Sequence, residues 1–290
     1  MATIEQDFAP AEPGLSQRLR RVFFGRTATI IATITVVIFI FVAAFAPWIA
    51  PHDPMAQSFI AINKPPSWDH WLGTDQFGRD VLSRMIWGSR NSLIFGFLSP
   101  VLAALIGGTL GVLSGYFGGI LDRIVTRLVD MLLAFPELLL AILVAAALGG
   151  GFWNVVAVLT VAFTPGFARV ARATTLSVRQ EPYIEAAIAA GVRTPVIIMR
   201  HVVPNILAPI VVLMTLWAAS SIRLEATLSF LGIGTQPPAP SWGNIIREGL
   251  ANIFATSWPI LAGGLAITIV VLAISIIGDQ VRDELDPEIN

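Results

Sequence analysis

The chain has 290 residues, 55% of them hydrophobic and 13% charged, with a net charge of −1 and a mean hydropathy of +0.76. Soluble domains carry about 25% charged residues, so this is a membrane composition, and the near-zero net charge gives no reason to invoke nucleic acid. The absence of Cys excludes disulfides, thiolate metal sites and Cys nucleophiles, and the single lysine, Lys64 after Asn63, leaves no Gly-x-x-x-x-Gly-Lys-Ser/Thr phosphate loop, so any ATP used is bound by another chain.

Residues 1–27 read as a cytoplasmic tail. Its start is polar, with Pro and acidic groups, and Arg18, Arg20, Arg21 and Arg26 lead into an apolar run over 27–46. Ala44-Phe45-Ala46 resembles a signal-peptidase site, but a signal core is about 7–15 residues and this run is nearer 20. It is read as a retained first span, with the Arg cluster holding the N-terminus in the cytoplasm. A Pro-rich loop follows over 47–70. Between residues 70 and 93, Val81, Leu82, Met85 and Ile86 recur at helical spacing, with Arg79, Asp80 and Arg84 elsewhere around the helix. Trp71 and Trp87 are natural interfacial anchors. This pattern predicts an amphipathic helix on the outer surface; the other reading makes it the first turns of the second span.

The second span is placed at 92–113. Gly107, Gly111, Gly115 and Gly119 recur every four residues and form a small-residue stripe, for packing within the subunit or against a partner. Asp122, Arg123 and Arg127 mark a cytoplasmic turn. The third span, 124–148, contains Asp130, Pro136 and Glu137, and Arg127 and Asp130 are spaced to pair. Glu137 lies deeper. It either hydrogen-bonds a neighbouring helix or lines a substrate pathway that favours a cationic group. Gly149-Gly150-Gly151 makes a turn, and Pro165-Gly166 is expected to bend the fourth span, 152–171.

Residues 176–204 form the longest interior stretch rich in Arg. Pro182 suits a first helical position, residues 183–190 favour helix, and Gly191 can take the left-handed turn that ends one. Thr194 and Pro195 predict a second short helix that stops before Pro204. Helices of this length are marginal alone, so a partner must brace them, and Ala186, Ala187, Ala189 and Ala190 permit close approach. The local signals are equally compatible with an ordinary loop. The fifth span is placed at 205–222, after which Arg223 and Glu225 are expected to pair with each other or a neighbour. Gly232, Gly234, Pro237, Pro238 and Pro240 exclude regular structure, and Ser241 caps a helix over 242–254 with Ile245, Ile246, Leu250 and Ile253 towards the membrane. The last span, 258–277, is expected to end at Gly278, leaving a soluble tail with Asp279, Arg282, Asp283, Glu284 and Asp286. His52, His70 and His201 are scattered at no recognised ligand spacing, so no metal site is expected.

Glu185-Ala186-Ala187, then Gly191 after three residues, then Pro204 thirteen further on, resemble the EAA signature of bacterial ABC importer permeases. His201 and Val203 stand where the usual signature has Ile and Leu, and His-x-x-Pro-Asn resembles the peptide and nickel branch. The LGTD-x-x-GRDVLSR run from Leu72, the outer segment 225–250 and the IGDQVRDELDP ending extend the resemblance over residues 70–290. The chain is thus similar to the C-type permease subunit of the dipeptide, oligopeptide and nickel transport family. The resemblance implies an all-α polytopic membrane protein of the type I ABC importer permease fold, with six transmembrane helices and cytoplasmic coupling helices. Its parts would be an N-terminal tail (1–27), a permease domain (28–280) and a C-terminal tail (281–290). The coupling-helix loop would be 172–204, and the outer loops 47–91 and 226–257. Both termini would be cytoplasmic in a bacterial inner membrane.

By the same resemblance the chain forms half of the pathway of an importer for peptides or related small solutes. It would pair with a homologous permease, two ATPase subunits and an extracytoplasmic solute-binding protein. It would be no enzyme and bind no cofactor; ATP and Mg would sit on the ATPases. Glu185 would offer polar contact, Ala186 and Ala187 close docking, and Gly191 the angle between two short helices, with Pro204 completing the coupling element. Glu137 departs from the family, which often has a small residue after this Pro. Two other classes are weaker. An ion-gradient-driven transporter needs intramembrane ionisable groups, for which only Glu137 and Asp130 qualify. An intramembrane enzyme needs a His–Glu zinc motif or a Gly-x-Ser-x-Gly elbow, and the chain has neither.

Overall fold

The structure, a computed structural model, describes residues 22–285. The expected tail residues Arg18, Arg20, Arg21 and Asp286 lie outside the described residues. The regular elements among the described residues are helices. In chain order they are α1 (Thr27–Ala44), α2 (Ala46–Ile49), α3 (Val81–Phe117), α4 (Gly119–Leu133), α5 (Glu137–Leu148), α6 (Phe152–Arg179), α7 (Pro182–Ala189), α8 (Thr194–Ile197), α9 (Val203–Phe230), α10 (Trp242–Leu250) and α11 (Trp258–Leu285). Five helical stretches are long and apolar enough to cross a membrane, and α4 with α5 makes a sixth if that bent pair counts as one span. Their unpartnered faces are apolar, as lipid requires: Ile31, Ile34 and Ile38 on α1, and Leu261, Leu265 and Leu272 on α11, are exposed.

The third span is not one straight helix. Its halves meet at 98° across the break before Glu137. Pro136 causes it: the ring removes a backbone donor, disfavours helical geometry at the preceding residue, and itself sits in extended conformation with ψ of 134°.

The expected surface helix over 70–93 is corrected. Residues 70–80 are loop, and Val81 opens α3, a single helix of 37 residues. At 1.5 Å per residue it is about 55 Å long, against a hydrocarbon core of about 30 Å, so its first turns belong to the span and project beyond it. Val81, Met85 and Ile86 are buried, but so are Arg79, Asp80 and Arg84, which leaves no polar face for water.

The glycine stripe packs α3 against α6 within this chain. A Cβ on Gly107 would sit 2.4 Å from the Thr164 carbonyl, and one on Gly111 2.4 Å from that of Ala168. Gly115 lies against Arg172 and Thr175, whereas Gly119 faces open space. Contacts ascend both helices together, so α3 and α6 run parallel. Between them lies a core of Phe95, Leu159, Phe163 and Phe167, closed by Trp217 of α9 standing edge-on to Phe163. α6 runs unbroken through Pro165-Gly166, and Gly166 makes room for the Trp217 ring.

Gly278 does not end the last helix, which continues to Leu285. It lies against Thr215 and Leu216 of α9, so the position is small for packing. α10 is shorter than expected. Ser241 caps it by accepting the Asn244 amide, but it stops at Leu250, and Ile245 is buried in the chain's own core instead of facing lipid. Arg26 before α1 bonds Asp283 near the end of α11, which brings the two ends of the described chain together.

Candidate functional site

Because α3 and α6 are parallel, their starts share one end of the bundle and their C-termini the other. α7 follows the C-terminus of α6, so residues 182–204 lie at the end opposite Asp80, where α3 begins. Two polar regions therefore sit at opposite ends.

The first is an elbow. Pro182 occupies the first position of α7, where no amide donor is needed. Ile184 is fully buried in the main core and Ala187 packs partly against it. Glu185, Ala186 and Ile188 are exposed. Gly191 has φ of 75°, and nothing lies within 4 Å of where its Cβ would be. Its requirement is conformational: the left-handed turn ends α7, with the Val192 amide donating to the Ala187 carbonyl. Tyr183 packs against His201 with ring centroids 5.9 Å apart, which ties α7 to the following segment.

That segment differs from expectation in two ways. Arg193, not Thr194, is the cap residue of α8, and no side chain makes a capping bond there. Nor does the helix stop before Pro204. Residues 198–202 form one wide π turn that passes into α9, with Pro204 exposed in its first turn. The wider turn lets the chain continue past a residue that can donate no hydrogen bond. Glu185, Ala186 and Gly191 thus share one exposed elbow with Pro204, and Ala187 forms its floor. Tyr183, Ile188, Val196 and Met199 are exposed on the same segment.

Two ion pairs brace the elbow end. Arg172 grips Asp122 with two bonds, of 2.5 and 2.7 Å, and Arg169 bonds Asp130 at 3.0 Å. Asp130 therefore pairs across helices and not with Arg127. The cytoplasmic turn expected at 122–127 is part of α4. Glu137 is exposed in the first turn of α5, just past the bend, and makes no side-chain hydrogen bond among the described residues. The opposite charge that bears on it is Arg223, which also donates to Ser220. Arg223 and Glu225 do not pair. Glu225 is fully buried and accepts from Ser229 at 2.6 Å and Thr235 at 3.3 Å.

The second region is a clamp at the start of α3. Arg79 bonds Asp75 at 2.7 Å and Glu248 at 2.5 Å, and Arg84 reaches Glu248 at 3.0 Å and Asp75 at 3.4 Å. It joins the loop before α3, α3 itself and α10. None of its four side chains is more than 15% exposed. Asn252 of the turn after α10 also bonds Gln76. The sequence carried the Arg79 and Arg84 positions but no sign of their partner, which lies 164 to 169 residues away.

Residues 107–290 match the family described as the binding-protein-dependent transport system inner membrane component, and residues 14–66 match the N-terminal transmembrane domain of oligopeptide transport permease C. A glutathione transport system permease protein of Escherichia coli O6:K15:H31 is 41% identical over 276 residues, covering 94% of this chain and 89% of the relative. A dipeptide transport system permease protein of Haemophilus influenzae is 37% identical over 288 residues, covering 97% of each. Among solved structures, a chain of a methionine ABC transporter in an inward-facing conformation superposes with a TM-score of 0.56 at 22% identity, covering 69% of this chain and 96% of that one, and so shares the fold.

Proposed function

Since the chain belongs to the family of binding-protein-dependent transport system inner membrane components, and is a C-type permease subunit of an ABC importer, we propose that it carries peptides or related small solutes and that the elbow couples it to ATPases. The substrate reading follows the dipeptide and glutathione permeases it is similar to. The chain would supply half of the pathway, with a homologous permease supplying the other half. A solute-binding protein would load it at the clamp end, and two ATPase subunits, holding ATP and Mg, would dock at the elbow. The tails, 1–27 and 281–290, and loop 172–204 would then be cytoplasmic, and loops 47–91 and 226–257 outside, about a permease domain of 28–280.

One observation carries the coupling role. α7 is fixed to the main core by Ile184 while Glu185, Ala186 and Ile188 stay exposed. A rigid element held to the spans on one face and open on the other can transmit movement of a docked partner to those spans. Ala186 lets a partner approach closely, Glu185 adds a polar contact, and Gly191 and Pro204 fix the path of the chain away from α7. Glu137, exposed beside the bend, is the proposed pathway residue for a cationic group such as a peptide amine. No observation favours an ion-gradient-driven mechanism.

The test is purification from native membranes of the wild-type chain and of Glu185→Arg, with co-purifying chains identified by mass spectrometry. Wild type should bring down a second multispan chain and P-loop ATPases. The variant should keep the permease partner and lose the ATPases. Recovery of the ATPases with both proteins in equal yield would refute the role given to Glu185.

A further inference from the structure

We propose that His52, His70 and Asp80 form a binding site for a divalent transition-metal ion, of the zinc, nickel or copper class, at the clamp end of the bundle. One ligand atom from each of the three residues can be chosen so that all lie within 4.8 Å of one another. His70 Nδ1 is 2.9 Å from one Asp80 oxygen, and His52 Nδ1 is 3.8 Å from the other. The two imidazole rings lie against each other with centroids 4.9 Å apart. Bonds of about 2.0–2.2 Å in a tetrahedral site set donors roughly 3.3 Å from one another, so small side-chain rotations close this triangle on an ion. Two imidazoles and one carboxylate suit zinc, nickel or copper. Calcium and magnesium need six or more oxygen ligands or an ordered water shell, and these residues offer one carboxylate.

The three residues are held in place by bonds that fall on the backbone of the two histidines and on one Asp80 oxygen, while the other Asp80 oxygen meets only His70. The Ser83 hydroxyl accepts from the His52 amide and donates to Asp80, which also takes the Ser83 amide at 2.8 Å. The His70 amide bonds the Ser67 hydroxyl, and its carbonyl accepts from Ser67 and Gly73. Such supporting bonds orient first ligands in metal sites. Asp80 is nearly fully buried, yet its carboxylate lies outside the neighbouring arginine clamp and meets the two imidazoles instead. An ion here takes the place of the His70–Asp80 hydrogen bond and offsets the charge of that carboxylate. It also pins the Pro-rich loop, through residues 52 and 70, to the first turn of α3. Three protein donors leave a fourth position on the side of His52, whose side chain is 42% exposed. Water or a donor atom of an arriving solute can occupy it. The site stands on this cluster alone and does not depend on the coupling role of the elbow.

The experiment uses the full chain, without a polyhistidine tag, in lipid nanodiscs after treatment with a chelator. Cobalt(II) is titrated in, read by its visible absorption, and then displaced with zinc. Wild type should bind one equivalent with the intense bands of a tetrahedral site, and His52→Ala should weaken binding at least tenfold, by about the margin seen on loss of supporting groups alone. His70→Ala should do the same. His70 also hydrogen-bonds Asp80, so His52→Ala, whose ring makes only the longer contact with that carboxylate, is the decisive variant. Its thermal unfolding without metal should match wild type. A folded wild-type chain that takes up no stoichiometric cobalt, or equal affinity in His52→Ala, would overturn the proposal.

Discussion

At the clamp end, Asp75, Arg79, Arg84 and Glu248 are withdrawn from solvent, and each meets an opposite charge supplied by this chain. At the elbow end, Tyr183, Ile188, Val196 and Met199 are 44–67% exposed, and α7 itself buries only Ile184 completely. The two ends solve different problems. Charges taken out of water must be satisfied where they lie, which makes the clamp rigid and self-contained. Apolar groups left exposed beside a polar rim suit contact with a further surface, as the proposed docking requires. On the proposed reading, a permease loaded at the clamp end and driven from the elbow would use this asymmetry: a fixed frame at one end and an open socket at the other.

The sharpest way to break the comparison is to remove one clamp charge. Glu248→Ala leaves Arg79 and Arg84 sharing only Asp75 in a buried setting, and losing one partner of a buried pair costs about 3–5 kcal/mol. The expected result is a large drop in the denaturant midpoint of the detergent-solubilised chain, together with low folded yield. A midpoint like that of wild type would mean that the clamp is solvated and that the two ends are not built differently.

Gly191 tests the elbow at an intermediate scale. A residue with a Cβ in left-handed geometry costs roughly 1–2 kcal/mol, and there is space for the side chain itself. Gly191→Ala should therefore lower stability only modestly, as read by thermal unfolding. Gly191→Trp should still insert in the membrane but abolish solute uptake, because the bulk stands where the proposed ATPase partner would approach. Normal uptake by Gly191→Trp would remove the elbow from the transport cycle.

Helix α7 and the spans were readable because their signals are local. Hydropathy marks a span, Pro182 opens a helix, and the four-residue glycine spacing names a packing face before its partner is known. The clamp was not readable, since Arg79 finds Glu248 across 169 residues and only the packing of α10 on α3 brings them together. The same holds for His52 and His70, which share no ligand spacing and converge because the loop folds back on Asp80. Arg127 and Asp130 show the opposite error. Their separation by three residues fits a helix pair, but α6 offers Arg169 from another direction. Gly278 was misread for a related reason. A glycine that ends a helix and one that admits a neighbouring helix look alike until the neighbour, here Thr215, is placed.

The smallest expected effect comes from that same Arg169–Asp130 pair. Both side chains are more than half exposed, at 62% and 57%. Exposed pairs gain little, since water screens the attraction and two mobile side chains lose freedom, so Arg169→Ala should cost no more than about 1 kcal/mol. Arg172→Ala provides the contrast within one turn of α6. Its two bonds to Asp122 are shorter and both groups are less exposed, at 32% and 21%. The bidentate geometry should make its loss measurably greater than that of Arg169 in the same unfolding assay. Equal costs for the two variants would mean that α4 is held to α6 by the apolar contact of Val125 and Val129 with Ala168 alone. A greater cost at Arg172 would extend the clamp's principle, charges held close by partners in the same chain, into the half of the molecule that carries the open socket.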